Sequence, residues 1–170
     1  MISNKGLEII KKYEGYSDTV YRCPAGYLTW GYGSRYYKGE PITWNFKYTK
    51  EQAEEQLKLD TEHFENTVLG YVRVGLFQEQ LDALISLSYN IGGSAFKKST
   101  LLRKLNEGDY VGASKEFKKW NRGGGRVLPG LIKRREAEKE LFCEGINKHK
   151  ETTEYFANLK PRGLNGKSSV

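Results

Sequence analysis

The sequence is poor in the residues that build disulfide frameworks and metal sites. Its 170 residues include two cysteines and two histidines. Two cysteines are too few for the disulfide scaffold of a small secreted protein. A single Cys23–Cys143 bridge is possible by count, but free thiols are favoured for a chain made in a reducing cytosol. Because the cysteines and histidines lie far apart in sequence, a zinc site is disfavoured, and we expect neither a metal nor another cofactor.

Long hydrophobic runs are also missing. A membrane-spanning helix needs ~20 mainly apolar residues, and no stretch of the sequence approaches that length. The opening residues, MISNKGLEIIKKYEGY, lack the apolar core of a secretory signal peptide. We therefore expect no stable membrane insertion and synthesis in the cytoplasm.

The charge and composition describe a basic globular protein. Hydrophobic residues make up 38% and charged residues 29% of the chain, and the net charge is +7. Such a composition can bury one core, in one domain of one or two lobes. The positive charge suits a polyanionic partner, which could be nucleic acid, an anionic membrane or a bacterial envelope. We find no basic stripe with interleaved aromatic residues and no nucleic-acid motif, and we expect no nucleic acid as partner.

The stretch from Glu14 to Ser34 carries the residues best suited to chemistry. Its valine, threonine, tyrosine and tryptophan residues favour strands, and Cys-Pro-Ala-Gly at 23–26 predicts a turn between them. The pattern before it predicts a helix over residues 3–13, with Ser3 as the N-cap and Gly15 as the stop. Glu14, Cys23 and Thr29 would then lie on one short ribbon beside a common cleft.

The spacing of these residues resembles that of the bacteriophage-type lysozymes of glycoside hydrolase family 24. The motif is Glu14, Cys23 and Thr29, followed by Gly31-Tyr32-Gly33. Three later blocks are also similar to family blocks and occur in the same order, so that the resemblance covers roughly residues 5–143. They are QLDALISLSYNIG at 80–92, FKKSTLL at 96–102 and LPGLIKRREAE at 128–138.

The resemblance implies an α+β, lysozyme-like fold with two lobes. We expect a single domain over residues 1–145, with a β-ribbon lobe at 13–48, a linking helix at 49–70 and a larger, mainly helical lobe at 71–145. The N-terminal helix would pack on the helical lobe. The sequence after Gly145 loses its periodicity, so residues 146–170 are predicted to form a loosely ordered tail.

The activity implied by the resemblance is that of an endolysin, a muramidase that cleaves the β-1,4 bond between N-acetylmuramic acid and N-acetylglucosamine. Glu14 would be the general acid, with Cys23 and Thr29 as the other catalytic residues. Many family members carry Asp where this chain carries Cys23, and a neutral thiol is a poorer base than a carboxylate. Asp18 is an alternative source of the missing charge. Whether the reaction inverts or retains the anomeric configuration stays open.

The resemblance also implies substrate contacts and a route to the substrate. The partners would be the glycan strands of peptidoglycan, bound by a monomer that a separate holin pore releases to the cell wall, with lysis of the host as the result. The predicted substrate-binding residues are Tyr32, Arg35, Tyr89, Ser99 and Arg134.

Two other functions fit some of these features. Cys23 could pair with His63 or His149 in a cysteine peptidase or amidase, since Cys–His pairs act as nucleophile and base. The positive charge alone would also suit a wall-binding module without catalysis. The ordered blocks favour the muramidase over both.

Overall fold

The computed structural model describes residues 1–23 and 25–158 of the chain. Over this part, seven α-helices, a short 3-10 helix and three antiparallel strand pairs follow one another. The predicted α+β class is therefore confirmed. The helices are α1 Asn4–Glu14, α2 Lys50–Tyr71, α3 Gln78–Ile91, α4 Gly93–Lys97, α5 Thr100–Asn106, α6 Tyr110–Glu116 and α7 Pro129–Asn158, with the 3-10 helix at Phe117–Lys119. The strands are β1 Ser17–Arg22, β2 Leu28–Gly31, β3 Tyr36–Tyr37, β4 Glu40–Pro41, β5 Arg122–Gly123 and β6 Arg126–Val127.

Helix α1 delivers Glu14 to the start of the β-ribbon. The Ser3 hydroxyl accepts a hydrogen bond from the Gly6 amide at the N-terminus of the helix, which satisfies one of its unpaired donors. Gly15 ends the helix with φ at 73°, a conformation that glycine adopts without steric cost. Both the predicted cap and the predicted stop are confirmed.

Strands β1 and β2 pair in antiparallel fashion and place Tyr21 opposite Thr29. The predicted turn between them is confirmed by a hydrogen bond of 2.8 Å from the Gly26 amide to the Cys23 carbonyl. Pro24, within the turn, lies outside the described residues. The ribbon packs against the core through Trp30 of β2, which is fully buried. Its ring contacts those of Tyr37, Phe46 and Tyr48.

Helix α2 begins at a capping box, within one residue of the predicted start of the linking helix. Thr49 and Gln52 each accept a hydrogen bond from the other residue's backbone amide, which fixes the first turn. The buried face of the helix includes Ala53, Leu57 and Val68, as the apolar periodicity predicts. Most of its charged side chains are exposed, whereas Glu65 is buried and Asp60 is partly buried.

Helix α3 forms the centre of the hydrophobic core. Leu84, Ile85 and Leu87 are fully buried, as expected for a helix surrounded on several sides. The long helix α7 packs along it and contributes Leu141 and Phe142 to the same core.

The prediction of a loosely ordered tail from residue 146 is wrong for residues 146–158, which continue α7. Ile146 is buried, and the His149 ring lies 4.6 Å from the ring centroids of both Phe77 and Tyr110. These tertiary contacts stabilise a segment with little helical periodicity. Residues 159–170 of the predicted tail lie outside the described residues.

Strands β1–β4 all fall within the range predicted for the small lobe, and α2 lies close to the predicted linking helix. The division into lobes remains an interpretation. Within the described part of the chain, no helix is both long and apolar enough to cross a bilayer.

Candidate active site

Glu14 is held by a buried arginine from the last helix. The Arg134 Nη1 donates to the Glu14 Oε1 over 2.6 Å. The same guanidinium donates to Glu138 at 3.1 Å and to the Ser86 carbonyl at 3.2 Å. Arg134 is 2% exposed, whereas the Glu14 side chain is 22% exposed. The arginine therefore fixes one carboxylate oxygen from inside the core, while solvent still reaches the acid.

Two cavities meet at Glu14. The smaller, of about 290 Å³, lies against β1 and is lined by Glu14, Gly15, Tyr16, Ser17, Tyr21 and Gly31. The larger, of about 660 Å³, lies between the ribbon and helices α2 and α3. Its lining consists of Glu14, Gly33, Ser34, Arg35, Tyr36, Leu59, Asp60, His63, Phe64, Tyr89 and Asn90. A polymer lying across both cavities would pass over the carboxyl group of Glu14.

The second oxygen of Glu14 faces the glycine that follows the ribbon. A Cβ atom built on Gly33 would lie 3.7 Å from the Glu14 Oε2, and Gly33 has φ at 97°. A side chain at this position would be strained by the positive φ, and its Cβ would contact the carboxyl group. The glycine thus leaves space beside Oε2, the oxygen that Arg134 does not hold.

Cys23 and Thr29 are brought together at the end of the ribbon. Thr29 is 3% exposed, and its hydroxyl donates to the Tyr27 carbonyl over 3.1 Å. The same hydroxyl lies near the Cys23 sulfur and acts to lower the pKa of the thiol. Because a hydroxyl has one proton to donate, Thr29 can serve either the carbonyl or the sulfur.

The pKa of the Cys23 thiol is lowered from its ordinary value. The main cause is the backbone hydrogen bond of Tyr27 to the sulfur, and Thr29, the Ala25 backbone and the positive charge of Arg35 act in the same direction. Partial burial opposes them. Hydrogen bonds and a nearby cation favour the charged form of an acid, so the site promotes formation of the thiolate.

The Tyr21 hydroxyl lies within electrostatic range of both Cys23 and Glu14. Burial raises the pKa of the Tyr21 hydroxyl, and the charges of Cys23 and Glu14 raise it further. The pKa of Tyr21 therefore depends on both groups. Tyr21 also lines the smaller cavity at Glu14. Neither Cys23 nor Thr29 is among the residues that line the two cavities at Glu14. A shared catalytic role of the three residues stays a prediction.

Two of the predicted substrate-binding residues line the larger cavity. Arg35 is exposed there, with its guanidinium carbon 4.0 Å from the Tyr27 ring centroid. The Tyr89 hydroxyl donates to the Tyr32 carbonyl over 3.2 Å, and one side of the tyrosine forms the cavity wall. Burial raises the pKa of Tyr89 far above its ordinary value, helped by the charges of Asp60 and Glu14. Tyr89 therefore remains a neutral hydrogen-bonding group.

The other three do not present free side chains to this cavity. The Tyr32 side chain is buried, with the Lys11 ammonium over its ring and Glu54 near its hydroxyl. Ser99 accepts from the Leu102 amide as the N-cap of α5 and lines a separate cavity with Tyr71 and Arg73. Arg134 uses its donors within the core, as described above. None of these three side chains lines the larger cavity, because burial or capping already occupies their polar groups. Their contact with substrate stays a prediction.

Asp60 is a carboxylate of the larger cavity that the sequence pattern did not indicate. It accepts hydrogen bonds from the Ser34 hydroxyl and from the Gln56 side-chain amide, the latter over 2.8 Å. Burial raises the pKa of Asp60, although both hydrogen bonds lower it. In sequence it is one of several charged residues in α2, and only the docking of the ribbon onto α2 distinguishes it.

The histidines do not complete a cysteine-hydrolase site. The His149 Nε2 lies 3.0 Å from the Gln80 Oε1, next to the rings of Phe77 and Tyr110. His63 is an exposed residue of α2 that lines the larger cavity. In the parts of the chain that the structure covers, no hydrogen bond joins either imidazole to Cys23.

Neither cysteine is in a disulfide; both are free thiols. Among the described residues, no cluster of three or more histidine, cysteine, aspartate and glutamate side chains could hold a metal ion.

Comparison with known proteins assigns the fold and site to a family. The family model described as phage lysozyme matches residues 11–138. The chain belongs to the phage lysozyme family. The match includes Glu14, Cys23 and Thr29 as well as Arg134 and Glu138.

Individual relatives agree with this family. An endolysin of Acyrthosiphon pisum secondary endosymbiont phage 1 is 48% identical over 147 residues, which cover 83% of this chain and 97% of the relative. An endolysin of Bacillus phage B103 is 40% identical over 150 residues. That match covers 87% of this chain but 56% of the relative, so the chain spans little more than half of the longer protein.

Solved structures of the family have the same fold. An endolysin from Escherichia coli O157:H7 phage FAHEc1 superimposes with a TM-score of 0.77 at 36% identity, covering 84% of this chain and 92% of that one. The muramidase domain of SpmX from Asticaccaulis excentricus gives a TM-score of 0.75 at 36% identity and covers 84% and 97% of the two chains. The predicted lysozyme-like fold is confirmed.

Proposed function

We propose that this member of the phage lysozyme family is a muramidase whose general acid is Glu14. The family makes the chain a glycoside hydrolase that degrades bacterial peptidoglycan and leads to host lysis. The bond cleaved is the β-1,4 link between N-acetylmuramic acid and N-acetylglucosamine. The observation that carries the residue assignment is the position of Glu14, which is held from the core and open to two cavities.

In this proposal, the two oxygens of Glu14 have different tasks. Oε1 stays bound to Arg134, which fixes the orientation of the carboxyl group. Oε2 carries the proton and transfers it to the glycosidic oxygen as the bond to the sugar breaks. Gly33 leaves the room that the leaving sugar needs beside Oε2.

Cys23 and Thr29 would act on the positively charged sugar centre formed by bond cleavage. The Cys23 thiolate either removes a proton from an attacking water or attacks the sugar carbon itself. The Thr29 hydroxyl stabilises the thiolate and can turn toward a water molecule once the thiol is neutral again. A thiolate acting on water inverts the anomeric carbon, whereas attack by sulfur followed by hydrolysis retains it. The configuration of the first product distinguishes the two routes.

Substrate binding in this proposal uses the wall of the larger cavity. Arg35 would pair with a carboxylate of the peptidoglycan, and the Tyr89 ring would contact a sugar face. We propose that the protein works as a monomer and reaches the wall after synthesis in the host cytoplasm. Sedimentation of the purified protein tests whether it is a monomer.

Replacing Glu14 by Gln tests the assignment. The variant keeps the size of the side chain and an acceptor for Arg134 but has no proton to transfer. We expect release of new reducing ends from purified peptidoglycan to fall by at least about 10²- to 10⁴-fold. Glu8→Gln is the matched control, since Glu8 is an exposed glutamate of the same helix. Thermal melting of both variants shows whether the fold is intact.

Two results would contradict the proposal. If Glu14→Gln retains most of the reducing-end release, another residue is the acid. If the wild type releases free amino groups without reducing ends, the cleaved bond is an amide and the chain is not a muramidase.

A further inference from the structure

Two residues of α2 hold the segment that forms one wall of the larger cavity. The segment runs from Ser34 to Lys38 and contains Arg35 and Tyr36, both of which line that cavity. At one end, the Ser34 hydroxyl donates to Asp60. At the other end, the Lys38 amide donates to the Gln56 Oε1 over 2.9 Å.

The two holding residues are also bonded to each other. The Gln56 side-chain amide donates to Asp60 over 2.8 Å, and the two lie one helical turn apart, where side chains meet. Asp60 thus accepts on one oxygen from Ser34 and on the other from Gln56. The side-chain amide of Gln56 accepts one hydrogen bond and donates another. Ser34, Asp60, Gln56 and Lys38 are therefore joined by a continuous series of hydrogen bonds.

The middle of the segment is fixed to the ribbon core. The Trp30 indole N–H donates to the Tyr36 carbonyl over 3.1 Å. The Trp30 backbone also pairs with Ser34 in both directions, at 3.0 Å each. Because Trp30 is fully buried, this attachment does not move independently of the core. The wall is therefore anchored at its two ends by α2 and at its centre by Trp30.

Lys38 lies in the two-residue turn between β3 and β4, where the pairing of Tyr37 with Glu40 requires positive φ. Lys38 has φ at 50° and is the single non-glycine residue with positive φ in the part of the chain that the structure describes. Such a conformation is unfavourable for a side chain with a Cβ. The hydrogen bond to Gln56 is the contact that holds the amide of this residue in place.

We propose that Gln56 and Asp60 are positioning residues that fix Arg35 and Tyr36 for glycan binding without contacting the sugar. The inference rests on the proposed function, because it takes the larger cavity as a substrate site. Asp60 lies in the same cavity as Glu14, but both of its oxygens already accept hydrogen bonds. Its role is therefore to hold the wall rather than to serve as a second catalytic carboxylate.

Substitutions of Asp60 separate these two roles. Asp60→Ala removes both acceptors, whereas Asp60→Asn keeps an oxygen for Gln56 and presents an N–H that the Ser34 hydroxyl can accept. We expect Asp60→Ala to raise KM for soluble glycan strands roughly 3- to 10-fold, the effect of one or two lost hydrogen bonds, with kcat within about twofold of the wild type. Asp60→Asn should restore KM to near the wild-type value.

The matched control is Glu62→Ala, which removes an exposed carboxylate from the same helix. It should leave KM unchanged. If Asp60→Ala and Asp60→Asn both lose most of kcat, Asp60 acts as a catalytic carboxylate and the positioning role is wrong. If Asp60→Ala leaves KM equal to that of Glu62→Ala, the anchoring has no effect on binding and the proposal is overturned.

Gln56 provides an independent test that does not require Asp60→Ala to fold. Gln56→Ala should raise KM by a similar factor, since it frees the Lys38 amide. Adding Lys38→Gly should recover part of the loss, because glycine adopts positive φ without the hydrogen bond. A merely destabilised fold would lower the melting temperature in both variants and show no recovery of KM. Absence of recovery would refute the role assigned to Gln56.

Binding measured without catalysis separates this inference from the proposed function. In the Glu14→Gln background, the dissociation constant for the same strands should rise with Asp60→Ala and recover with Asp60→Asn. If the parent binds the strands but wild type fails to cleave them, the proposed function fails while the positioning role stands. If wild type cleaves and Asp60→Ala binds normally, the positioning role alone fails.

Discussion

At the scale of single residues, Cys23 sets the conditions under which the site can work. The Tyr27 backbone, Thr29 and Arg35 all favour its thiolate, and the proposed base or nucleophile is that thiolate. Activity should accordingly depend on pH through the ionisation of one sulfur atom. A carboxylate at the same position would already be charged at a much lower pH.

Replacing Cys23 by Asp should therefore shift the pH dependence of activity. Since the thiolate is the proposed active form, wild-type activity should rise as pH increases through the lowered pKa of Cys23. The ordinary pKa of Asp is ~3.9 against ~8.5 for Cys, so the rise should move to lower pH in Cys23→Asp. Cys23→Ala should lose about 10²-fold or more. Reducing-end release measured across pH provides the comparison.

Cys143→Ala is the control, because Cys143 is the other free thiol and lies in α7. It should keep the wild-type profile. Superimposable pH profiles for wild type and Cys23→Asp would show that the thiol does not ionise in the reaction.

Glu138 is the buried counter-charge on which the position of Arg134 depends. It is fully buried and pairs with both Arg134 and Arg135. Burial lowers the pKa of Arg135 to about 10, and Glu138 opposes that shift. The same burial raises the pKa of Glu138, which the two arginines counteract. Removing the carboxylate would leave two guanidinium groups in the core without the negative charge that Glu138 supplies.

We expect Glu138→Ala to lower the free energy of unfolding by about 3–5 kcal/mol, the usual cost of breaking a buried ion pair. Residual activity should also fall, because Arg134 loses one of the contacts that orient it toward Glu14. Urea denaturation followed by circular dichroism measures the first effect. Glu136→Ala, an exposed change in the same helix, should lie within about 0.5 kcal/mol of wild type. A similar small loss for Glu138→Ala would show that the pair does not stabilise the fold.

Single residues also show where sequence reasoning succeeds. Ser3 and Gly15 were predicted correctly because caps and stops act on the backbone a few positions away. Tyr32, Ser99 and Arg134 were predicted to contact substrate, but their polar groups have partners set by local capping or by helices distant in sequence. Asp60 was not predicted for the same reason, since its hydrogen-bond partners Ser34 and Gln56 come from two different parts of the fold. Local signals therefore predict elements better than they predict the free groups of a site.

At the scale of elements, α7 depends on contacts made far from its own sequence pattern. Its second half was predicted as a tail because the apolar periodicity fades after Gly145. Gly145 instead packs against Gln80 of α3, and a Cβ atom there would lie 2.4 Å from the Gln80 Cγ. Gln80 is fully buried and its Oε1 accepts from the Phe77 amide. The absence of a side chain at Gly145 permits the close approach of the two helices.

Gly145→Ala should therefore destabilise the protein, although alanine favours helices more than glycine does. We expect a loss of about 1–3 kcal/mol from overpacking. Gly130→Ala is the matched control, since nothing lies within 4 Å of its Cβ position in the same helix. It should be neutral or stabilise by up to about 1 kcal/mol. Thermal melting of the two variants measures the difference, and equal melting temperatures would mean that α7 can shift away from Gln80 at no cost.

At the scale of the whole molecule, the net charge of +7 should draw the protein to an anionic wall. Such attraction is long-ranged and is screened by salt, with a screening length of ~30 Å at 0.01 M and ~8 Å at 0.15 M ionic strength. Binding of the Glu14→Gln variant to purified walls should weaken as ionic strength rises between these values. Co-sedimentation with the walls measures the bound fraction.

Walls whose carboxylates have been chemically amidated provide the control for this prediction. They should bind less protein at low salt and show a smaller response to added salt. Equal binding at both ionic strengths would mean that recognition depends on the cleft alone and that the overall charge contributes nothing.

The pair formed by Glu14 and Arg134 also has a consequence for the timing of activity. The two residues are 120 positions apart, so the acid leaves the ribosome long before the arginine that orients it is synthesised. An incomplete nascent chain contains Glu14, Cys23 and Thr29 but lacks the helix that fixes the acid. With Glu14 as the proposed acid, catalytic competence should be acquired when α7 docks, late in synthesis. Fragments ending before Arg134 should remain inactive toward the wall of the cell that produces them.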